Sequence, residues 1–233
     1  IWSRLRHPNI LQFLGANTLD EQPFIVMPYI PNTAREFLHK EQEFDPVYIL
    51  RDVSLGLEYL HSRTICHGDL KGVNVLVDHS NRALLCDFGL ARVKADVTSR
   101  TVGMPANGPT IFGSRNWMAP ELFTGAPPST RSDMYAFGMT VYELYADEDP
   151  LCHIRSHDFV ELVCQRDLRP SRPTKIARLT DSMWDLATSC WAKRSSDRPT
   201  ARKVHDVISH GHLITDVSLL RDLTLRFELT YSR

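Results

Sequence analysis

No stretch of this 233-residue sequence approaches the ~20 consecutive apolar residues needed to span a bilayer, so no membrane segment is expected. Charge of one sign is missing too: 27 Lys and Arg stand against 28 Asp and Glu, a formal net charge of −1. With no global field, composition offers no argument for nucleic acid or an anionic membrane as partner. No cysteines stand at Cys-x-x-Cys spacing, and the five present (Cys66, Cys86, Cys152, Cys164, Cys190) are odd in number. That argues against a disulfide framework or a structural zinc site. Reduced thiols in a cytoplasmic or other intracellular compartment fit the pattern. Internal repeats and low-complexity segments are absent.

What is there is ordinary for a globular chain: 42% hydrophobic and 24% charged residues. That suffices to bury a sizeable core in one large domain or two small ones. Arg166, Arg169, Arg172, Lys175 and Arg178 gather cations, but Pro170 and Pro173 interrupt them and no aromatic platform accompanies them. They read as a solvated loop face rather than a nucleic-acid site.

Ile1 to Arg6 reads as the end of a helix, closed by Pro8, which disfavours helix at the residue before it. Ile10–Leu14 and Pro23–Met27 read as two strands joined by a polar loop. Such a pair alone is marginal in water. Thr33 caps a short helix through Lys40. Asp45-Pro46 opens a longer one, with apolar residues at Val47, Leu50, Val53, Leu57 and Leu60. Val75-Leu76-Val77 and Ala83-Leu84-Leu85-Cys86 form a hairpin around a polar turn. Arg92 to Pro109 is polar and reads as a mobile loop. The run from Tyr135 to Leu144 is apolar nearly all round, as in a helix at the centre of a core. Further helices are expected over about 157–166, 181–191 and 200–209.

The chemistry concentrates in one stretch. His67-Gly68-Asp69-Leu70-Lys71-Gly72-Val73-Asn74 places an acid, an amine and an amide at fixed offsets. Thirteen positions past Asn74 comes Asp87-Phe88-Gly89. The hairpin sets Asn74 and Asp87 at its two ends, so a short rigid element fixes their separation. Cys86, directly before Asp87, is either a thiol open to reagents or a small buried hydrophobe.

These two motifs resemble the catalytic loop and metal-binding turn of eukaryotic protein kinases. Ala119-Pro120-Glu121 resembles the close of that family's activation segment. Gly113-Ser114-Arg115-Asn116-Trp117-Met118 before it resembles the substrate-docking loop. Ser132-Asp133 to Gly138 resembles the start of the central helix, whose Asp ties down the catalytic loop. Cys190-Trp191 and Asp197-Arg198-Pro199 resemble the late signature, which implies an Arg198–Glu121 pair. The wording of these segments points to the tyrosine-kinase-like group of serine/threonine kinases, and the resemblance covers about residues 1–210.

The implied fold is α+β: a mainly helical large lobe over 31–210, a remnant of the small-lobe sheet and hinge over 1–30, and a tail over 211–233 without a readable motif. The implied activity is transfer of the γ-phosphate of ATP to a Ser or Thr hydroxyl of a protein. Asp69 would be the base, and Lys71 would steady the transferring group. Asn74 and Asp87 would hold Mg²⁺, which favours hard oxygen ligands. Met27 falls at the gatekeeper position, Tyr29 and Ile30 on the hinge that binds the adenine edge, and Leu76 beneath the adenine ring.

Two departures qualify the resemblance. Gly68 replaces an Arg that pairs with activation-loop phosphate, so phosphorylation of Thr98, Ser99, Thr101 or Thr110 should activate weakly or not at all. The sequence also holds no Gly-x-Gly-x-x-Gly loop and no Val-Ala-x-Lys strand, and the Glu partner of that Lys would precede Ile1. The alternative is therefore a catalytically inactive kinase-like interaction module. On either reading the residual strands should expose apolar surface.

Overall fold

Residues 2–19, 22–87, 92–93, 115–174 and 176–210 are described by the computed structural model. The chain starts with a 3₁₀ turn, Trp2–Arg4, rather than a longer helix end. Strands β1 (Gly15–Leu19) and β2 (Gln22–Val26) form an antiparallel hairpin in the register Gly15↔Val26 to Leu19↔Gln22. The second strand falls where it is expected and the first does not. Ile10–Leu14 is instead an extended connection that leans on the far sheet through one parallel bridge, Ile10↔Leu85. Leu11 N–H donates to the Leu85 carbonyl and Leu85 N–H to the Asn9 carbonyl, each at 2.9 Å.

Strand β3 (Asn32–Thr33) runs into α1 (Ala34–Lys40). Thr33 and Glu36 form a reciprocal capping box, which satisfies N–H groups that a helix start leaves orphaned. Helix α2 (Pro46–Ser62) begins as its sequence dictates: Asp45 accepts the Val47 N–H at 2.9 Å and Pro46 occupies the first turn. The same Asp45 oxygen accepts the Tyr145 hydroxyl at 2.9 Å, tying the cap to the central helix. Val47, Leu50, Val53, Leu57 and Leu60 are all buried. Burying each contributes roughly 1.5–3 kcal/mol relative to exposure.

After β4 (Ile65–Cys66), the 3₁₀ turn Gly72–Asn74 leads into β5 (Val75–Val77), which pairs with β6 (Ala83–Leu85) as an antiparallel hairpin. Strand β3 adds to the other edge of β5, with Thr33 opposite Leu76. Strand β7 (Arg92–Val93) pairs with β4, so the start of the segment read as a loop is ordered. Its continuation, with Thr98, Ser99, Thr101, Thr110, Gly113 and Ser114, lies outside the described residues, as does the tail over 211–233.

Past the short helix α3 (Pro120–Phe123), helix α4 (Thr130–Ala146) is buried without a break from Ser132 to Tyr145. It is the axis of the core: α6 (Asp181–Cys190) and α2 pack on it, and α7 (Ala201–His210) packs on α2. Helix α5 (Ser156–Val160) passes into a π-helical turn, Glu161–Gln165, where a single helix is expected. None of the five cysteines is in a disulfide. Among the described residues, no helix is long and apolar enough to cross a membrane.

Candidate active site

The buried carboxylate of Asp133, at the start of α4, fixes the entry to the loop. Its Oδ2 accepts the His67 N–H at 2.9 Å and the His61 Nε2–H at 2.8 Å. Its Oδ1 accepts the Gly68 N–H at 2.9 Å. Gly68 lies at φ +83°, the left-handed region where a side chain is costly, so glycine suits this backbone.

His67 is fully buried. Its Nδ1 accepts the Asp69 N–H at 3.3 Å and its Nε2 lies 3.0 Å from the Cys86 carbonyl. One nitrogen accepting and the other donating is the neutral ring. Burial pushes its pKa below the ordinary value, although Asp133 and Asp69 pull the other way. One imidazole thus links the backbones of Asp69 and Cys86, the residue before Asp87.

Two of the expected site side chains converge on one oxygen of a third. Asp69 Oδ2 lies 2.9 Å from Lys71 Nζ and 3.0 Å from Asn74 Nδ2, which also donates to the Asp69 carbonyl at 2.7 Å. The Asp69 and Lys71 side chains are 15% and 17% exposed, so the pair is sheltered but reachable. With its NH₂ turned to Asp69, the Asn74 amide presents a hard oxygen, Oδ1, on its other side. Cys86 N–H donates to the Asn74 carbonyl at 3.0 Å, which brings Asp87 beside Asn74 at the open end of the hairpin. Asp87 is exposed and sits at φ +55°, a conformation rare for a residue with a side chain and concentrated at functional sites.

Among the described residues, no group of three or more His, Cys, Asp and Glu forms a metal cluster. Asn74 and Asp87 offer one amide and one carboxylate oxygen. Such a partial set fits Mg²⁺, which usually keeps several waters and shares its shell with phosphate oxygens. Cys86 is the buried hydrophobe of the two readings: burial, with Asp87 adding, pushes its thiol up to about 12.

The residues expected around adenine lie on the hairpin side. Met27 and Tyr29 are exposed, at 41% and 87%, and Ile30 and Leu76 are half-buried. Strand β3, two residues past Ile30, brings this chain alongside Leu76. Phe24, Ile25 and Val26 on β2 are exposed as well, the apolar surface expected of these strands, and so is Leu14 just before β1. A cavity of about 410 Å³ opens elsewhere, between α1, the end of α4 and residues 176–178; none of the site residues lines it.

Behind the site, Arg198 meets Glu121 in a two-pronged pair at 2.6 and 2.8 Å, as the resemblance implies. Two participants were not foreseen. His61 braces Asp133, and Glu143 accepts the Gly72 N–H and the Trp117 indole N–H. A lone carboxylate inside an apolar helix was the signal for Glu143, because a buried charge requires partners.

A sequence model of the family described as protein tyrosine and serine/threonine kinase matches residues 1–208. The chain belongs to this protein kinase family. It is 32% identical over 221 residues to a probable serine/threonine-protein kinase, kinX, of Dictyostelium discoideum. That match covers 92% of the chain and 19% of the relative. It is 31% identical to the dual specificity protein kinase shkC of the same organism, covering 90% of the chain and 42% of the relative. It is also 31% identical to the serine/threonine-protein kinase CTR1 of Arabidopsis thaliana, covering 89% and 25%. This kinase chain thus spans less than half the length of these relatives.

Proposed function

We propose that the protein carrying this kinase domain transfers the γ-phosphoryl group of ATP to a Ser or Thr hydroxyl of a protein. The observation that supports this best is the convergence of Lys71 and Asn74 on the Asp69 carboxylate. In this reading Asp69 accepts the proton of the substrate hydroxyl. The hydroxyl oxygen bonds to the γ-phosphorus as the bond to the ADP oxygen breaks. Lys71 offsets negative charge on the transferring group, and its place two residues after the base favours Ser/Thr over Tyr. Asn74 Oδ1 and the Asp87 carboxylate hold Mg²⁺. When bound, Mg²⁺ neutralises phosphate charge. Met27, Tyr29, Ile30 and Leu76 contact the adenine. Gly68 leaves the loop without the Arg that would read activation-loop phosphate.

Titration of the full-length protein with Mg²⁺-ATP by calorimetry, with Asp87→Asn alongside, tests the reading. Saturable binding is expected, weakened about tenfold or more by Asp87→Asn, a loss on the order of 1.4 kcal/mol. Folded protein that binds nothing at millimolar ATP would sink it. A kinase-like interaction module would then stand, with the exposed apolar hairpin residues as its candidate contact surface.

A further inference from the structure

We infer that Glu143 is a positioning residue for phosphoryl transfer, its carboxylate holding the catalytic loop at Gly72 and the segment before Ala119-Pro120-Glu121 at Trp117. The inference rests on the phosphotransfer reading above and names a part of it that the sequence motifs leave out.

Glu143 lies near the end of α4, 1% exposed, with the apolar Val141 and Leu144 buried close to it in the chain. A carboxylate in such a place is tolerated only where it is hydrogen-bonded. Both of its bonds go to one oxygen: Oε2 accepts the Gly72 N–H and the Trp117 Nε1–H, each at 2.8 Å. Gly72 opens the 3₁₀ turn that carries Asn74 and follows Lys71 directly. Trp117 closes the turn Arg115–Trp117. One oxygen therefore sets the spacing between the loop that bears Asp69 and the segment that resembles the docking loop.

The other oxygen explains the glycine. A Cβ built on Gly72 would lie 2.4 Å from Glu143 Oε1 and 2.8 Å from Cδ. Real Cβ atoms do not approach so closely, so the loop backbone rests directly on the carboxylate and a side chain at Gly72 would require that carboxylate to shift. Glycine at position 72 thus lets the carboxylate lie against the loop backbone.

The charged groups around Glu143 are few. Arg35 on α1 acts to lower its pKa and Asp149, past the end of α4, to raise it. Arg35 itself pairs with Asp147 and Asp149. On the loop, Asp69 and Lys71 pair with each other. Burial outweighs the two hydrogen bonds and Arg35, and pushes the carboxyl up to about 7.

Four variants of the full-length protein separate positioning from mere structure. Glu143→Gln keeps an acceptor oxygen and should hold kcat within about threefold of the parent. Glu143→Leu removes the acceptor and should lower kcat roughly 10²-fold, with KM for ATP little changed, as expected for misplaced reacting groups. Gly72→Ala should fall in the same direction. Gly72→Ala combined with Glu143→Asp, which withdraws the carboxylate by one methylene, should recover about tenfold. A readout free of turnover is the Trp117 indole N–H resonance, assigned by Trp117→Phe. Its shift should titrate with a midpoint near 7 in the parent and stay flat in Glu143→Gln.

A folded Glu143→Leu with unchanged kcat overturns the inference, as does a Glu143→Gln as damaged as Glu143→Leu. If Glu143→Leu does not fold, failure of Glu143→Asp to rescue Gly72→Ala overturns it instead. An inactive parent sinks the phosphotransfer reading, and a Trp117 resonance that does not move between the parent and Glu143→Leu sinks the carboxylate's hold on the two segments.

Discussion

Asp69→Asn should lower kcat of the full-length protein by roughly 10²–10⁴-fold, the range for loss of a general base. The Asp69 carboxylate sits where Lys71 and Asn74 converge, and its backbone N–H is held by neutral His67. Asn has nearly the same shape, so the loop keeps its course while the proton acceptor is lost. KM for ATP should change little, because Asp69 is not among the groups proposed to hold nucleotide or Mg²⁺. The measurement is steady-state phosphotransfer to a peptide, with thermal unfolding as control. A loss of less than about tenfold in a folded variant would remove Asp69 from the role of base.

Glu121→Ala should cost about 3 kcal/mol of stability, the low end for breaking a buried ion pair from one side. The Arg198 side chain is 0% exposed, whereas Glu121 retains 26%, so removing the acid strands the charge that water cannot reach. Arg198 would keep the Ala192 and Arg131 carbonyls, at 2.9 and 3.0 Å, and the face of Tyr135, 5.1 Å from its guanidinium carbon. These soften the loss and argue for the low end. For a domain of this size the thermal midpoint should fall by about 6–12 °C. Arg198→Met should cost less, because the remaining carboxylate can hydrate. Equal losses for the two variants would mean that the pair is held by packing rather than by charge.

Local chemistry was readable where it was self-contained. Thr33, Asp45 with Pro46, and the short hairpin at 75–85 each carry donors, acceptors and turn residues within a few positions, and all form as expected, the return bond from Glu36 to Thr33 being an addition. The central helix was readable because its apolar residues run round the whole circumference. What escaped was pairing across long separations. Ile10–Leu14 has the composition of a strand, but its backbone partners are divided: one bridge forms with Leu85, while Leu14 N–H donates to the Val26 carbonyl. Gly15–Leu19 has little intrinsic strand preference and is a strand because β2 lies beside it. At the candidate site, motif spacing singled out Asp69, Lys71, Asn74 and Asp87, and the first three meet in the structure. The supports at His61 and Glu143 come from helices 72 and 71 residues from their loop or core partners, beyond any local pattern.

Asp133 and Glu143 stand ten positions apart on one buried helix, about 15 Å along its axis. They grip the loop that carries Asp69 and Lys71 at Gly68 and at Gly72, like two posts under a short span. Neither end can lift without stripping a carboxylate buried in the core of its hydrogen bonds. Opening of this loop should therefore belong to unfolding of the whole domain rather than to a local fluctuation. In amide hydrogen exchange, the Gly68 and Gly72 protons should be replaced as slowly as those of α4 itself. The segment proposed to carry the chemistry would then be among the most durable parts of the surface.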